Sequence, residues 1–283
     1  MTARRAAGDG AVTRTALALP PLTIGSLFSG IGGLELGLEW AGLGPVLWQC
    51  EIDPFCRAVL AKHWPNVTRF EDVTRPREWP RVDLICGGFP CQDVSSAGAK
   101  RGLGGERSSL WWYFARVVEQ VRPSWVVVEN VASGKKLWLP HVRHQLHVLG
   151  YRTRAFQISA HDVGAPHLRR RVFVVAYAHG EQLRAGEDGT PRNADRVSKP
   201  AQSVNGEVAG MRGVAGGASA WAAPPEFRRV AHGVPHRVDR LRALGNAVVP
   251  QCAEVIGRVI QEMRHGREAF DDALDMSTSA KRA

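Results

Sequence analysis

LTIGSLF (22–28), SGIGG (29–33) and LELGLEWAG (34–42) decide the fold. The first is a short apolar run that reads as a strand. The glycines after it permit a tight turn, and the third stretch puts Leu34, Leu38 and Ala41 on one face of a helix. Strand, glycine turn and helix in that order open an α/β unit with a parallel sheet. The alternation continues to about residue 175. PVLWQCE (45–51) reads as a second strand, and Pro54 opens the next helix at its first turn. A third candidate strand precedes Asp72. VDLICGG (82–88) is a buried strand, and SSLWWYFARVVEQV (108–121) is a helix capped by a serine. SWVVVEN (124–130) is β-branched enough for a central strand. YRTRAFQIS (151–159) and RRRVFVVAY (169–177) are joined by a loop holding Pro166 that is too short for a helical crossover. They form an antiparallel hairpin at the sheet edge.

From 179 to about 235 the chain is rich in Gly, Ala, Ser and Pro without sustained periodicity, as in a small loop-built lobe or a partly disordered segment. Order returns with DRLRALGN (239–246). A helix then begins near Pro250, with Ala253, Ile256 and Ile260 in one stripe. The expected organisation is a disordered leader (1–21), a catalytic and cofactor-binding domain (22–178), a target-recognition segment (179–235), a return to the first domain (236–266) and a flexible tail (267–283).

With 44% hydrophobic and 23% charged residues in 283, the composition is that of a globular chain. No run of eighteen apolar residues occurs, and the leader lacks the long apolar core of a signal peptide, so a cytoplasmic protein is expected. The net charge of +10 suits a polyanion such as nucleic acid. An arginine-rich genome accounts for the charge equally well. The five cysteines include no CxxC pair and no zinc-ligand spacing, so no metal is expected. Cys50, Cys56, Cys86 and Cys252 read as buried small hydrophobes. Cys91 differs in its neighbours.

The turn after the first strand lets backbone approach a ligand closely and leaves the next helix a bare amino terminus. Glu51 ends the second strand about twenty residues on, where an acid can bind both hydroxyls of a ribose. These features fit a dinucleotide and S-adenosylmethionine almost equally. The spacing GxGG rather than GxGxxG, and Asp72 placed to accept from an adenine amino group, lean towards the second.

VDLICGG runs into Phe89-Pro90-Cys91-Gln92, and SWVVVEN ends on Glu129-Asn130. If both strands are parallel members of one sheet, Cys91 and Glu129 emerge at the same carboxyl edge, where a thiol and a carboxylate face one bound ring. That pair suits methylation of cytosine at carbon 5. A thiolate adding to carbon 6 makes carbon 5 nucleophilic, and a carboxyl group manages the charge that reaches ring nitrogen 3. A lone cysteine or glutamate is more often structural; the joint placement at two strand ends beside a glycine turn is what favours chemistry.

These residues closely resemble the DNA (cytosine-5) methyltransferase family. FSGIGGLELGL, CEIDPFC, GGFPCQDVSSAGAKRGL, VVVENV and GNAVVPQ are similar to five of its motifs, in order. The resemblance implies a Rossmann-like α/β methyltransferase domain with a small, irregular recognition lobe. The implied enzyme transfers methyl from S-adenosylmethionine to a flipped cytosine of double-stranded DNA, acting as a monomer without a metal. Phe28, Gly30 and Gly32 would surround the methionine part of the cofactor. Glu51 would hold the ribose, Asp72 and Val73 the adenine edge, and Asn246 and Val248 the cofactor side again. Cys91 would be the nucleophile and Glu129 its proton partner. Of Arg169 and Arg171, one would orient the base and nucleophile, and the other would buttress Glu129. Their alternate spacing sends both to one face.

Loop 92–107 brings Lys100, Arg101 and Arg107 among glycines and serines, as a basic lid over phosphates would. His167 stands where the family usually has glutamine, and Ala97 replaces a serine of some relatives. An RNA-directed relative would carry Cys-Phe-Thr and an amino-directed one a DPPY-like motif; neither is present. A nicotinamide-dependent oxidoreductase and a catalytically dead DNA binder are the remaining rivals. Retention of Cys91, Glu129 and both arginines argues against the second. The size of the chain suits a bacterial or phage-borne enzyme.

Overall fold

The structure is a computed structural model that describes residues 19–90, 110–178 and 237–279. Strands β1 (Ile24–Leu27), β2 (Val46–Cys50), β3 (Thr68–Phe70), β4 (Leu84–Gly87), β5 (Trp125–Val131), β6 (Tyr151–Ser159) and β7 (Arg170–Ala178) form one sheet. Their order is β3-β2-β1-β4-β5-β7-β6. β1 to β5 pair in parallel, and β7 runs antiparallel to both β5 and β6. The hairpin expected at the edge is therefore present. It closes with β7 inward, so the arginine-bearing strand lies next to β5. The chain moves from β1 towards β2 and later returns to β4 on β1's other side. The crevice above the carboxyl ends of β1 and β4 is thus a topological switch point, the usual ligand site of such sheets.

Helices α1 (Gly33–Trp40), α2 (Pro54–His63), α3 (Leu110–Val121), α4 (Lys135–Val148), α5 (Arg237–Asn246) and α6 (Pro250–Ser279) accompany the strands. α2 starts as Pro54 predicts, with the Asp53 side chain accepting from the amides of Phe55 and Cys56. Ser108 and Ser109, one of which is expected to cap α3, lie outside the described residues. Two cores result. Trp48, Ile85, Trp111, Phe114, Val126 and Trp138 lie on one face of the sheet. Leu34, Leu38, Leu84, Phe173, Val175, Ile256 and Ile260 lie on the other, so α1 and α6 cover that face together.

Two elements exceed the sequence expectation. α4 was not foreseen, because Pro140 interrupts its pattern; Trp138, Val142 and Leu146 nevertheless recur at helical spacing and are fully buried. α6 continues past Gly266, where a flexible tail was expected, as far as Ser279. The stretch REAFDDALDMSTS carries no proline or further glycine to stop it. The strands all belong to a compact unit, Pro21–Met263; in a second, small unit Arg264 donates to the Pro20 carbonyl at 2.6 Å. Among the described residues no helix is long and apolar enough to cross a membrane.

Candidate active site

Three chain segments meet at the carboxyl edge of β1, β4 and β5. The first is the turn after β1. Phe28 and Gly30 have φ of 55° and 56°, and Gly32, at 87°, precedes α1. Gly30 faces open space: a side chain built on it would meet nothing within 4 Å. Glu51 fixes this turn. Its Oε2 accepts from the Gly30 amide at 2.7 Å and its Oε1 from the Asp53 amide at 2.8 Å. Each carboxylate oxygen retains a lone pair for a further donor. Glu51 thus shapes the cradle and still offers acceptors towards a ribose.

Asp72 begins the next part of the same edge. Its Oδ1 accepts from the amide and hydroxyl of Thr74 at 2.8 and 2.7 Å. Those two bonds lead the causes that hold its carboxyl below the usual range. Val73 beside it is buried. An anionic acceptor next to an apolar surface fits the edge of a purine ring. Open space at Gly30, the Glu51 carboxylate and the Asp72–Val73 pair offer acceptors and an apolar surface suited to a nucleoside. Glu51→Ala is expected to weaken cofactor binding about ten- to a hundredfold, the worth of a charged hydrogen bond of roughly 1.5–3 kcal/mol. Calorimetry showing unchanged affinity would refute that role.

The second segment is the end of β4. Gly88 lies so close to Glu129 that a Cβ built on it would come within 2.7 Å of Oε2 and 3.2 Å of the backbone oxygen, so a larger residue there would press on the carboxylate. Glu129 is 7% exposed, and its Oε1 lies 2.7 Å from Arg171 Nε. The contact is an ion pair by distance, although the oxygen takes no aligned hydrogen bond. Burial raises the Glu129 carboxyl to about 7, against the opposing pull of Arg171 and then Arg169. A carboxyl poised there can both hold and give a proton near neutral pH. Asn130 was not singled out from sequence. Its side chain donates to the Phe89 carbonyl at 3.1 Å, and its oxygen accepts from the Val131 amide at 2.8 Å. It therefore ties the end of β5 to the residue two before Cys91. The available signal was a buried amide in an otherwise apolar strand.

The third segment comes from the end of the chain. Arg169 donates to the carbonyls of Gly245 and Ala247, both at 2.7 Å. Val248 backs onto the amino end of α1, where a side chain on Gly33 would come within 2.2 Å of its carbonyl oxygen. Arg171 lies against Glu129, where a buttress for that carboxyl is expected, while Arg169, expected to share in orienting base and nucleophile, is bonded to the carbonyls of the turn around Asn246. A cavity of about 520 Å³ opens beside Arg171, between the end of β5 and Gln157, Leu168 and Arg170.

Cys91 lies outside the described residues, as do Lys100, Arg101, Arg107, Ala97 and the segment 179–235. His167 is exposed in the loop before β7. The other four cysteines are buried, and burial pushes the thiols of Cys50, Cys56 and Cys252 up to about 12. Their burial matches the reading of these four as small hydrophobes. Among the described residues no group of three His, Cys, Asp or Glu side chains could hold a metal ion.

Comparison with known proteins identifies the family. The family model "C-5 cytosine-specific DNA methylase" matches residues 22–214, reaching into the irregular segment and ending before GNAVVPQ. The Type II methyltransferase M2.BsuMI of Bacillus subtilis (strain 168) is 40% identical over 159 residues, which are 53% of this chain and 41% of that protein. The Type II methyltransferase M.NgoFVII of Neisseria gonorrhoeae is 34% identical over 171 residues, 58% of this chain and 44% of that protein. The S. pombe Dnmt2 methyltransferase structure aligns at 20% identity with a TM-score of 0.49, covering 56% of this chain and 52% of that one. The chain spans roughly two fifths of the length of these curated relatives. The family match takes in β1 to β7 and with them the glycine turn, Glu51, Cys91, Glu129 and both arginines, so the chain belongs to the C-5 cytosine-specific DNA methylase family.

Proposed function

We propose that this chain is a DNA cytosine-5 methyltransferase acting on a cytosine flipped out of double-stranded DNA. The observation that carries the reading is the buried Glu129, held by Arg171 against Gly88 at the edge where β4 leads into Cys91. S-adenosylmethionine, when bound, supplies the methyl group as an electrophilic carbon on a sulfonium. The chain's own residues supply the activation. The Cys91 thiolate adds to carbon 6 of the ring, which breaks the aromatic conjugation and leaves carbon 5 electron-rich. Neutral Glu129 donates a hydrogen bond at ring nitrogen 3 and offsets the charge arriving there. After methylation, loss of the carbon 5 proton expels Cys91. Glu51, Asp72 and Val73 hold the cofactor's nucleoside, and Asn246 and Val248 close its side.

A flipped base costs a few kcal/mol of stacking. The basic residues Lys100, Arg101 and Arg107 offset part of that cost through phosphates, and 179–235 selects the sequence. The net charge of +10 favours the same polyanion. We read the protein as a monomeric cytoplasmic enzyme that uses no metal. Bisulfite sequencing of DNA from cells expressing the protein tests the reading. Protection of cytosines in one short motif is expected. Unprotected DNA from cells holding soluble, cofactor-binding protein contradicts it.

A further inference from the structure

Beneath α1 the sheet carries a small cluster of buried polar side chains. In the parallel register Ser26 of β1 stands between Gln49 of β2 and Cys86 of β4, so the three side chains lie abreast, about 4.8 Å apart from strand to strand. Glu35, the third residue of α1, descends on them from the helix. Ser26, Gln49, Cys86 and Glu35 are all completely buried. Four polar atoms in this cluster, both carboxylate oxygens of Glu35 and both amide atoms of Gln49, have no hydrogen-bond partner. Buried polar atoms are nearly always paired, so a local breach of that rule calls for an explanation.

The cluster touches the cofactor turn. Ser29 Oγ donates to Ser26 Oγ at 2.9 Å, and the hydroxyls of Ser26 and Ser29 turn towards Glu35 without closing an aligned bond. Ser29 lies between Phe28 and Gly30, the pair in the left-handed region. For phenylalanine that backbone is strained, and it persists only where the surroundings over-determine it. Glu51 constrains the turn from one side and the buried cluster from the other.

We infer that Glu35 is a positioning residue for the cofactor: it acts through Ser26 and Ser29 to hold Phe28–Gly30 in the shape and polarity that receive the cationic end of S-adenosylmethionine. The inference rests on the cofactor reading above. Burial raises the Glu35 carboxyl to about 7, with Ser26 and Ser29 holding it down in part and Glu39 of the same helix pushing it up. Cys86 faces it from β4, and α6 meets α1 farther along, at Gly37, through Pro250 and Ala253. A cation seated on the turn favours the ionised carboxylate. Cofactor affinity therefore rises as pH increases through about 7. The stability linkage has the opposite sense: a carboxyl raised on folding stabilises the protein below about 4.5 and loses that contribution as pH rises through about 7.

The test is calorimetric S-adenosylmethionine binding and thermal unfolding of the wild type, Glu35→Gln and Glu35→Met, between about pH 6 and pH 8. Glu35→Met removes a buried charge, so it should melt at a higher temperature at the upper pH while binding the cofactor at least about tenfold more weakly. Glu35→Gln should match the wild type at the lower pH and lose the rise in affinity with pH. Binding by Glu35→Met within twofold of the wild type overturns the inference. So do superimposable pH profiles for the wild type and Glu35→Gln, which decide alone if Glu35→Met does not fold. A folded wild type that binds no cofactor at any pH overturns the cofactor reading itself, a separate outcome.

Discussion

Replacing Cys91 with serine is expected to cut methyl transfer by at least about a thousandfold while leaving S-adenosylmethionine affinity within about twofold. A hydroxyl is far less acidic than a thiol, so at neutral pH too little alkoxide exists to add to carbon 6. The cofactor meets other strand ends, those of β1, β2 and β3, which the substitution leaves intact. Steady-state transfer of labelled methyl groups, paired with calorimetry, checks both halves. Activity within tenfold of the wild type would exclude a covalent route. Lost cofactor binding would mean that Cys91 shapes the cradle instead.

Arg171→Ala should produce the second large effect, and it carries a pH signature. Arg171 is the cation 2.7 Å from the buried Glu129 carboxylate. Removing one partner of a buried pair costs about 3–5 kcal/mol when the other stays charged. Glu129, already raised to about 7 chiefly by burial, moves higher still once its main cation is gone. Below about 7 the carboxyl is protonated with or without Arg171 and the penalty is small; above it the penalty grows until the pH passes the variant's own, higher value. The variant should therefore unfold only slightly more easily than the wild type at acid pH and much more easily in mild alkali. Methyl transfer should fall about a hundredfold even where the variant is folded, because Glu129 is no longer held against the base. Denaturant titrations at two pH values, with rates measured at the lower, check the claim. A destabilisation independent of pH would show that Arg171 does not govern the charge of Glu129.

Much of this site was legible in the residues. The β-branched run of β5 and the apolar run of β4 announced two buried parallel strands, and the polar residues ending them could only lie at one edge. The hairpin of β6 and β7 followed from a connection too short for a crossover. Partners that depend on tertiary contact were not legible. Nothing near Arg169 in sequence suggests that its guanidinium grips the Gly245 and Ala247 carbonyls, 76 and 78 residues away. Glu51 was read as a ribose ligand from its distance to the glycine turn, yet its bond to Gly30 also makes it the turn's anchor. Pro140 concealed α4, because an internal proline argues against a helix unless tertiary packing overrides it. Glu35 escaped notice because α1 reads as an ordinary amphipathic helix, and its burial appears only when the sheet is laid beneath it.

The most direct test of the central claim is covalent capture. Duplex DNA with 5-fluorocytosine at the methylated position is incubated with the protein and S-adenosylmethionine, resolved under denaturing conditions, and the crosslinked peptide is sequenced. Fluorine cannot leave carbon 5 as a proton does, so elimination stalls with sulfur still bonded to carbon 6. A denaturation-stable adduct is expected, its modified residue Cys91, and it should be absent from Cys91→Ser. Efficient methylation of ordinary DNA by the same preparation, with no adduct or with an adduct at another residue, would contradict the assignment of Cys91 as nucleophile.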